Sequence, residues 1–237
     1  PGFPGEPRAL GPGKPRALLG DFGRHRGAWT AALEGFDTSA IHRDFYWDLA
    51  NGRDIVSHLR PLIANEALAE TVDVLMARFD ERTAPLLPTL PRAAVHGDPN
   101  DYNVLVGSGR DHGDMEARDQ HVTGIVDFGD MTYSYRIGDL AIAIAYIVFG
   151  EADPLGAAAT VIRGFCDEVA PTDDELSALF GLIAMRLCMS VSIAADQQPQ
   201  PPDHQTPAPT HAPLRAPPPP PPPLPLSPPP PLSRPAV

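Results

Sequence analysis

Proline distribution sets the limits of the foldable part of this chain. Of its 31 prolines, 19 lie in the last 39 residues, 199–237. Because proline has a fixed φ and no backbone N–H, a run such as residues 217–223 can form neither a helix nor an inner strand of a sheet. We therefore expect a disordered tail over residues 199–237, a disordered Gly/Pro-rich start over residues 1–17, and a folded region over residues 18–198.

Composition and charge narrow the kinds of ligand. Hydrophobic residues make up 43% of the chain, enough for a core, and 18 basic against 30 acidic residues give a net charge of −12. That charge repels nucleic acid and anionic membranes and mildly favours cationic small molecules. The sequence shows no signal peptide, and its longest apolar run, residues 140–149, is too short to cross a bilayer. Cys166 and Cys188 are expected to be core thiols. We expect a cytoplasmic protein without nucleic-acid or membrane partners.

Hydrophobic periodicity changes twice along the folded region. Apolar residues at helical spacing predict helices over residues 18–33, 54–62, 65–84, 138–149, 156–169 and 176–195. Short β-type runs lie between them, at residues 93–95, 104–106 and 122–128. The order of helices, three short strands and helices predicts an α+β fold, mainly helical, in which the strands carry polar loops.

Two of these helices begin with capping signals. Asn65 can accept a hydrogen bond from the first free N–H groups of one helix, and Thr172 with Glu175 forms a capping box before the last. The inner face of that last helix is predicted to consist of Leu176, Leu179, Phe180, Ile183 and Leu187.

Two polar loops interrupt the strand region. Residues 95–106 read VHGDPNDYNVLV, which places Asp98 and Asn103 five residues apart, and residues 124–130 read GIVDFGD, which places Asp127 at the end of an apolar run. Phosphoryl transfer needs one group to orient or deprotonate the attacking hydroxyl and oxygen ligands to hold Mg²⁺. These three side chains supply that set. The alternative is a turn in which Asp and Asn only satisfy their own backbone.

The spacing H-x-D-x-x-x-x-N followed by D-F-G is that of kinase-like catalytic loops, and the small-molecule variant has His-Gly-Asp at its start. Together with GDLA at residues 138–141, it makes residues 42–195 resemble the C-terminal, catalytic lobe of the aminoglycoside phosphotransferase family of small-molecule kinases. NDYN at residues 100–103 and HRDFYWDL at residues 42–49 resemble the hydroxylysine kinase branch of that family.

This resemblance implies a role for each polar residue of the two loops. Asp98 would be the catalytic base, Asn103 and Asp127 would bind Mg²⁺, and His96 and Asp130 would support the loop. The phosphoryl donor would be ATP or GTP, and the acceptor a hydroxyl of a small amino-bearing molecule such as hydroxylysine. The fold would be the C-terminal lobe of a protein-kinase-like enzyme.

The segment before the second predicted helix is the candidate acceptor site. Asp44, Trp47 and Asp48 lie close together there, and an aromatic face beside carboxylates suits an ammonium group. The alternative is that the aromatic residues of this segment only pin the loop to the helical core.

The resemblance also implies an N-terminal lobe with a glycine-rich cover and a phosphate-binding lysine. The lysine Lys14 lacks the spacing of a phosphate-binding loop. We therefore expect the C-terminal lobe alone, and the alternative to an active kinase is a truncated, catalytically incompetent remnant that acts as a binding module. The proline-rich tail is either an inert segment or a polyproline ligand for SH3- or WW-type partners.

Overall fold

The computed structural model describes residues 6–7, 14–100, 102–108 and 120–197. The expected disorder of residues 199–237 and of most of residues 1–17 lies outside this part of the chain. Its helices are α1 (Arg16–Ala32), α2 (Gly52–Leu59), α3 (Glu66–Arg82), α4 (Gly138–Ile147), α5 (Pro154–Cys166) and α6 (Asp173–Asp196). Its strands are β1 (Glu6–Pro7), β2 (Arg92–Val95), β3 (Val104–Ser108), β4 (Gln120–Ile125) and β5 (Thr132–Tyr135). The predicted mainly helical α+β layout is confirmed.

The strands form two small antiparallel sheets. One has the order β1-β3-β4, with Val104 opposite Ile125, and the other pairs β2 with β5. The sequence predicted β2, β3 and β4 but missed β1 and β5. Strand β1 has only two residues, and β5 has the polar sequence TYSY, so neither shows an apolar alternation. β4 ends before the predicted position 128, since Asp127 has a φ of +64°, which no strand accommodates.

The helical core is built around α4 and α6. Every residue of α4 except Tyr146 is buried, as the apolar pattern predicted. Helix α6 packs against α2, α3 and α4, and its buried residues include Leu182, Met185 and Met189. The hydroxyl-bearing side chain of α4, Tyr146, is therefore the one that is not enclosed by the core.

The predicted inner face of α6 is partly wrong. Leu179 is buried, but Leu176 is 43% exposed and Phe180 is 64% exposed. Apolar residues cover most of the circumference of α6, so periodicity alone could not fix its orientation, and the helices that pack against it decide which side is buried.

By length and composition, α6 is long and apolar enough to cross a membrane. The sequence-based expectation missed this helix, because it considered only the uninterrupted apolar run of residues 140–149. In the folded chain 61% of its most apolar stretch is buried, as expected for a core helix.

The helix starts have the predicted caps. The Asn65 side chain accepts a hydrogen bond from the N–H of Leu68 at 3.1 Å, and Thr172 and Glu175 form the reciprocal capping box. Glu175 is also bound by Arg136 through two hydrogen bonds of 3.0 and 2.6 Å. The N-terminus of α6 is therefore fixed both by its own cap and by an ion pair.

Helices α1 and α5 approach each other closely at glycines. A Cβ atom on Gly23 would lie 2.1 Å from the carbonyl oxygen of Val161, and one on Gly164 would lie 2.2 Å from that of Gly20. Only glycine fits at these two contacts.

The two cysteines differ in exposure. Cys188 is buried, and burial raises the pKa of its thiol to about 11. Cys166, the last residue of α5, is exposed, so the prediction of a core thiol is wrong there.

Candidate active site

The loop of residues 96–103 begins at a close backbone contact. Gly97 has a φ of +84°, and a Cβ atom there would lie 2.4 Å from the carbonyl oxygen of Asp130. Any side chain at position 97 would be strained and would also push away the turn of residues 127–130. Glycine at this position therefore brings the two predicted polar loops together.

Asp139 anchors the start of the same loop. This carboxylate, in the first turn of α4 and 3% exposed, accepts hydrogen bonds from the N–H groups of His96 and Gly97, both at 2.9 Å. The loop is thereby attached to the N-terminus of the buried helix α4.

His96 is fully buried and links the two loops. Its Nε2 lies 3.1 Å from the carbonyl oxygen of Val126, and the N–H of Asp98 points at its Nδ1 at 3.3 Å. A carbonyl can only accept, so Nε2 carries the proton and Nδ1 is the acceptor, which is the neutral tautomer. Burial lowers the pKa of His96, in agreement with this assignment.

Both oxygens of the Asp98 carboxylate have partners. Oδ2 accepts from Asn100 Nδ2 at 2.6 Å and from Asn103 Nδ2 at 3.2 Å. Oδ1 lies 3.4 Å from the Tyr146 hydroxyl and 3.3 Å from Nη2 of Arg186. The side chain is still 21% exposed, so a ligand can reach it.

The surroundings of Asp98 push its pKa in both directions. Burial, followed by the nearby negative charge of Asp130, raises the pKa of Asp98, while the positive charge of Arg186 and the hydrogen bond from Tyr146 counteract part of that rise. A carboxylate whose pKa is raised toward the working pH is a better proton acceptor than one in open water.

Asn103 lies beside Asp98 with its amide nitrogen engaged. Nδ2 donates to the backbone oxygen of Asp98 at 2.9 Å as well as to its carboxylate. With its NH₂ group turned toward Asp98, Asn103 would offer its amide oxygen to a cation.

Asp127 lies at the same end of the β3–β4 hairpin as Asn103. The N–H of Val126 donates to the carbonyl oxygen of Asn103 at 2.9 Å, directly beyond the Val104–Ile125 pair. Asp127 is exposed, and its Oδ1 accepts from the N–H of Gly129 at 3.2 Å. A left-handed conformation in a non-glycine residue is strained, and such strain often occurs at functional sites.

These donors fit a magnesium ion that is shared with a phosphate. Magnesium prefers oxygen ligands and is commonly held by one or two protein groups plus substrate phosphates. Asn103 and Asp127 supply two such oxygens from neighbouring backbone positions. Within the described residues no group of three or more His, Cys, Asp or Glu could form an all-protein cage.

The three predicted acceptor residues do not form one cluster. Asp44 and Asp48 line a polar cavity of about 430 Å³, whose other walls include Arg43 and Arg92. Asp48 is 8% exposed, and its Oδ1 caps Ala50 N–H at 2.9 Å and accepts from the Ser134 hydroxyl.

Trp47 faces away from that cavity, toward α6. Its ring lies 4.7 Å from the guanidinium of Arg186, and its carbonyl oxygen accepts from Nη1 at 3.2 Å. Of the three predicted residues, Trp47 is thus the one connected to Asp98, through Arg186.

Sequence reasoning missed Arg186 and Tyr146. Both contact Asp98, and Nη2 of Arg186 donates to the Tyr146 hydroxyl at 3.0 Å. Each had a detectable signal: a charged residue inside an apolar helix pattern, and a hydroxyl inside an otherwise apolar helix. The contact itself spans 88 positions and carries no local signature.

Phe128 joins the loops to α1. Its ring stacks on Trp29 at 5.2 Å and lies 5.3 Å from the His96 ring. Beside it, an apolar cavity of about 380 Å³ lies between α1 and the β3–β4 hairpin.

Among the described residues, Lys14 does not contact the two polar loops but binds at the C-terminal end of α4. Its ammonium group binds Glu151 Oε1 at 3.1 Å and the carbonyl oxygen of Ile147 at 3.4 Å, and its side chain is 4% exposed. This buried ion pair occupies the lysine.

Comparison with solved structures shows the fold class. The amicoumacin kinase hAmiN, solved in complex with AMP-PNP, Ca²⁺ and Ami, matches 76% of this chain and 52% of its own, with a TM-score of 0.50 and 13% sequence identity. The described lobe is therefore kinase-like, as predicted.

Sequence relatives identify the family. Residues 1–179 match the APH phosphotransferase enzyme family. Hydroxylysine kinase of Bos taurus is 33% identical over 198 residues, which cover 81% of this chain and 51% of that protein. Hydroxylysine kinase of Xenopus laevis is 31% identical over 150 residues, which cover 63% and 40%. The chain belongs to the phosphotransferase enzyme family, and it spans about half the length of the curated relatives it matches.

Proposed function

We propose that this protein transfers the terminal phosphoryl group of ATP or GTP to a hydroxyl of a small amino-bearing acceptor similar to hydroxylysine. The observation that carries this proposal is the position of Asp98, a partly exposed carboxylate beside Asn103 at the end of the hairpin that leads to Asp127. The hydroxylysine kinases among the relatives motivate the acceptor class.

Asp98 orients the acceptor hydroxyl and takes its proton. Its carboxylate is fixed on both edges, by Asn100 and Asn103 at Oδ2 and by Arg186 and Tyr146 at Oδ1. A carboxylate held in this way loses little orientational freedom when the hydroxyl arrives. The raised pKa of Asp98 favours transfer of the proton to it.

Asn103 and Asp127 would hold Mg²⁺ through the amide oxygen and the carboxylate. A bound Mg²⁺ supplies positive charge that stabilises the phosphates of the donor. His96 and Asp130 support this arrangement, since His96 links the loops and Asp130 meets Gly97 by its backbone.

The acceptor would bind on the side of Trp47. The Trp47 ring lies next to Arg186, which contacts Asp98, so an ammonium group near this segment would place a hydroxyl within reach of the carboxylate. Asp44 lines the polar cavity that Trp47 does not line, so it would not pair with an ammonium group beside Trp47, and Asp48 is committed to the backbone of its own turn.

Residues 18–198 would form the catalytic lobe of a cytoplasmic enzyme. The net charge of −12 supports a cationic small-molecule partner and argues against nucleic acid and anionic membranes. The proline-rich tail as an SH3- or WW-type ligand stays a prediction.

The second candidate is a binding module without catalysis. It is favoured by the buried Lys14–Glu151 pair, which occupies a lysine that could otherwise neutralise phosphates. Such a chain would keep the acceptor side and lack turnover.

Titration of this chain with AMP-PNP in the presence and absence of Mg²⁺, followed by turnover assays with ATP or GTP and 5-hydroxylysine, separates the two candidates. Mg²⁺-dependent binding with turnover is the result expected for the kinase. Binding of 5-hydroxylysine without nucleotide binding or turnover would support the binding module and refute the kinase for this chain.

A further inference from the structure

Arg186 lies in the middle of α6 with 3% of its side chain exposed. A buried guanidinium is costly unless its N–H groups and its charge find partners. Its neighbours along the helix, Met185 and Met189, are buried and apolar, so the charge of Arg186 stands out in the core.

The partners of Arg186 come from three separate segments. Nη2 lies 3.3 Å from Asp98 Oδ1 in the 96–103 loop and donates to the Tyr146 hydroxyl of α4 at 3.0 Å. Nη1 donates to the carbonyl oxygen of Trp47 at 3.2 Å, and the guanidinium stacks on the Trp47 ring. A planar guanidinium can serve all of these contacts at once, which an ammonium cannot.

We propose that Arg186 is a positioning residue whose guanidinium holds the Asp98 carboxylate and the backbone at Trp47 in one rigid unit. Arg186 then holds in place both Trp47, on the side that we assign to the acceptor, and Asp98, the carboxylate that we assign to proton transfer. This inference rests on the proposed function for its kinetic consequence, but its structural consequence can be tested without any turnover.

The contact distances indicate positioning rather than simple stabilisation. The Arg186–Asp98 contact is a single one of 3.3 Å, and Nε of Arg186 is buried without a hydrogen-bond partner among the described residues. A buried ion pair with an unsatisfied donor adds little net stability compared with apolar packing. The arginine fixes the position of the segment at Trp47 relative to the 96–103 loop, two parts of the chain that are distant in sequence.

Hydrogen exchange measured by mass spectrometry tests the structural part. In an Arg186→Met variant we expect the amides of residues 42–51 and 96–103 to exchange faster together, by about tenfold or more relative to the rest of the fold. The matched control is Arg136→Met, which removes another arginine–carboxylate pair at the far end of α6 and should leave these two segments unchanged relative to the remainder. Uniform acceleration, or acceleration of one segment alone, would overturn the proposal.

Kinetics test the functional part. With Arg186→Met we expect kcat to fall by about tenfold or more while the Kd for AMP-PNP stays within about twofold, because the acceptor and the carboxylate lose their common support. Arg186→Lys should recover little, since lysine keeps the charge but cannot contact Asp98 and Trp47 together. Full recovery by lysine, or a kcat loss that only follows the folded fraction, would refute positioning.

A milder variant covers the case in which Arg186→Met does not fold. Tyr146→Phe removes the hydroxyl that lies between Arg186 and Asp98. It should increase exchange in the 96–103 loop and lower kcat several-fold, and normal values for both would contradict the proposal. If the unchanged chain shows no turnover, the proposed function fails, and the exchange measurements still decide the role of Arg186.

Discussion

Two arginine–carboxylate pairs are attached to α6, and they are built differently. Arg136 binds Glu175 at the N-terminus of the helix through two hydrogen bonds of 3.0 and 2.6 Å, and Glu175 is 1% exposed. Arg186 reaches Asp98 through one contact of 3.3 Å, and Asp98 is 21% exposed. Both pairs join α6 to other segments.

The two carboxylates differ in how completely the fold uses them. Glu175 also completes the capping box of α6, so its carboxylate is fully used within the fold. Asp98 keeps an accessible surface and weaker contacts at Oδ1, so it can still bind a ligand. The Arg136–Glu175 pair is bidentate and enclosed by the fold, whereas the Arg186–Asp98 pair is a single contact to the carboxylate that we propose as the base.

The largest stability effect should come from the structural pair. Arg136→Met leaves Glu175 buried without its main partner, and we expect a loss of about 3–5 kcal/mol in the free energy of unfolding, measured by chemical denaturation. The nucleotide affinity of the folded fraction should not change. A loss below about 1 kcal/mol would show that the two pairs are not different in kind.

A smaller effect should appear as pH falls, and it should come from His96. Burial holds the pKa of His96 below its unfolded value, so between these two values the unfolded chain binds more protons. Stability is therefore present above the unfolded pKa of about 6.5 and decreases as pH falls below it, by on the order of 1 kcal/mol.

Unfolding free energies at pH 7.5 and 5.5 check this prediction. His96→Gln should have a smaller difference between the two pH values than the unchanged chain, while the exposed-surface variant Arg53→Gln should keep the full difference. Equal differences in the unchanged chain and in His96→Gln would exclude His96 as the source.

The smallest effect should come from an exposed pair. Arg53 binds Asp80 through hydrogen bonds of 2.8 and 2.9 Å, with the geometry of the Arg136 pair but in solvent. Arg53→Gln should leave the melting temperature within measurement error, because water screens and replaces such contacts. A loss as large as that of Arg136→Met would mean that geometry, and not burial, determines the stability of these pairs.

Local patterns in the sequence were sufficient for much of this fold. The caps at Asn65 and Thr172 and the all-round apolar helix α4 were predicted correctly, since capping and periodicity are local properties. The orientation of α6 and strand β5 were not, because both depend on partners distant in sequence.

The candidate site divides in the same way. Asp98, Asn103 and Asp127, which the motifs singled out, lie near one another in the fold: Asn103 donates to Asp98, and the residue before Asp127 donates to the carbonyl oxygen of Asn103. Proximity in sequence did not show that Asp44 and Asp48 line one polar cavity while Trp47 packs against Arg186. Arg186 could not be found from spacing, because it meets Asp98 only after the chain has packed.

Phosphoryl transfer to 5-hydroxylysine, followed by ³¹P NMR with Mg²⁺ and ATP or GTP, tests the role of Asp98 most directly. We predict that this chain forms a phosphate monoester and that Asp98→Asn, checked to be folded, slows its formation by about 10²–10⁴-fold with unchanged nucleotide binding. Equal rates of product formation by the unchanged chain and by Asp98→Asn would contradict the assignment of Asp98 as the base.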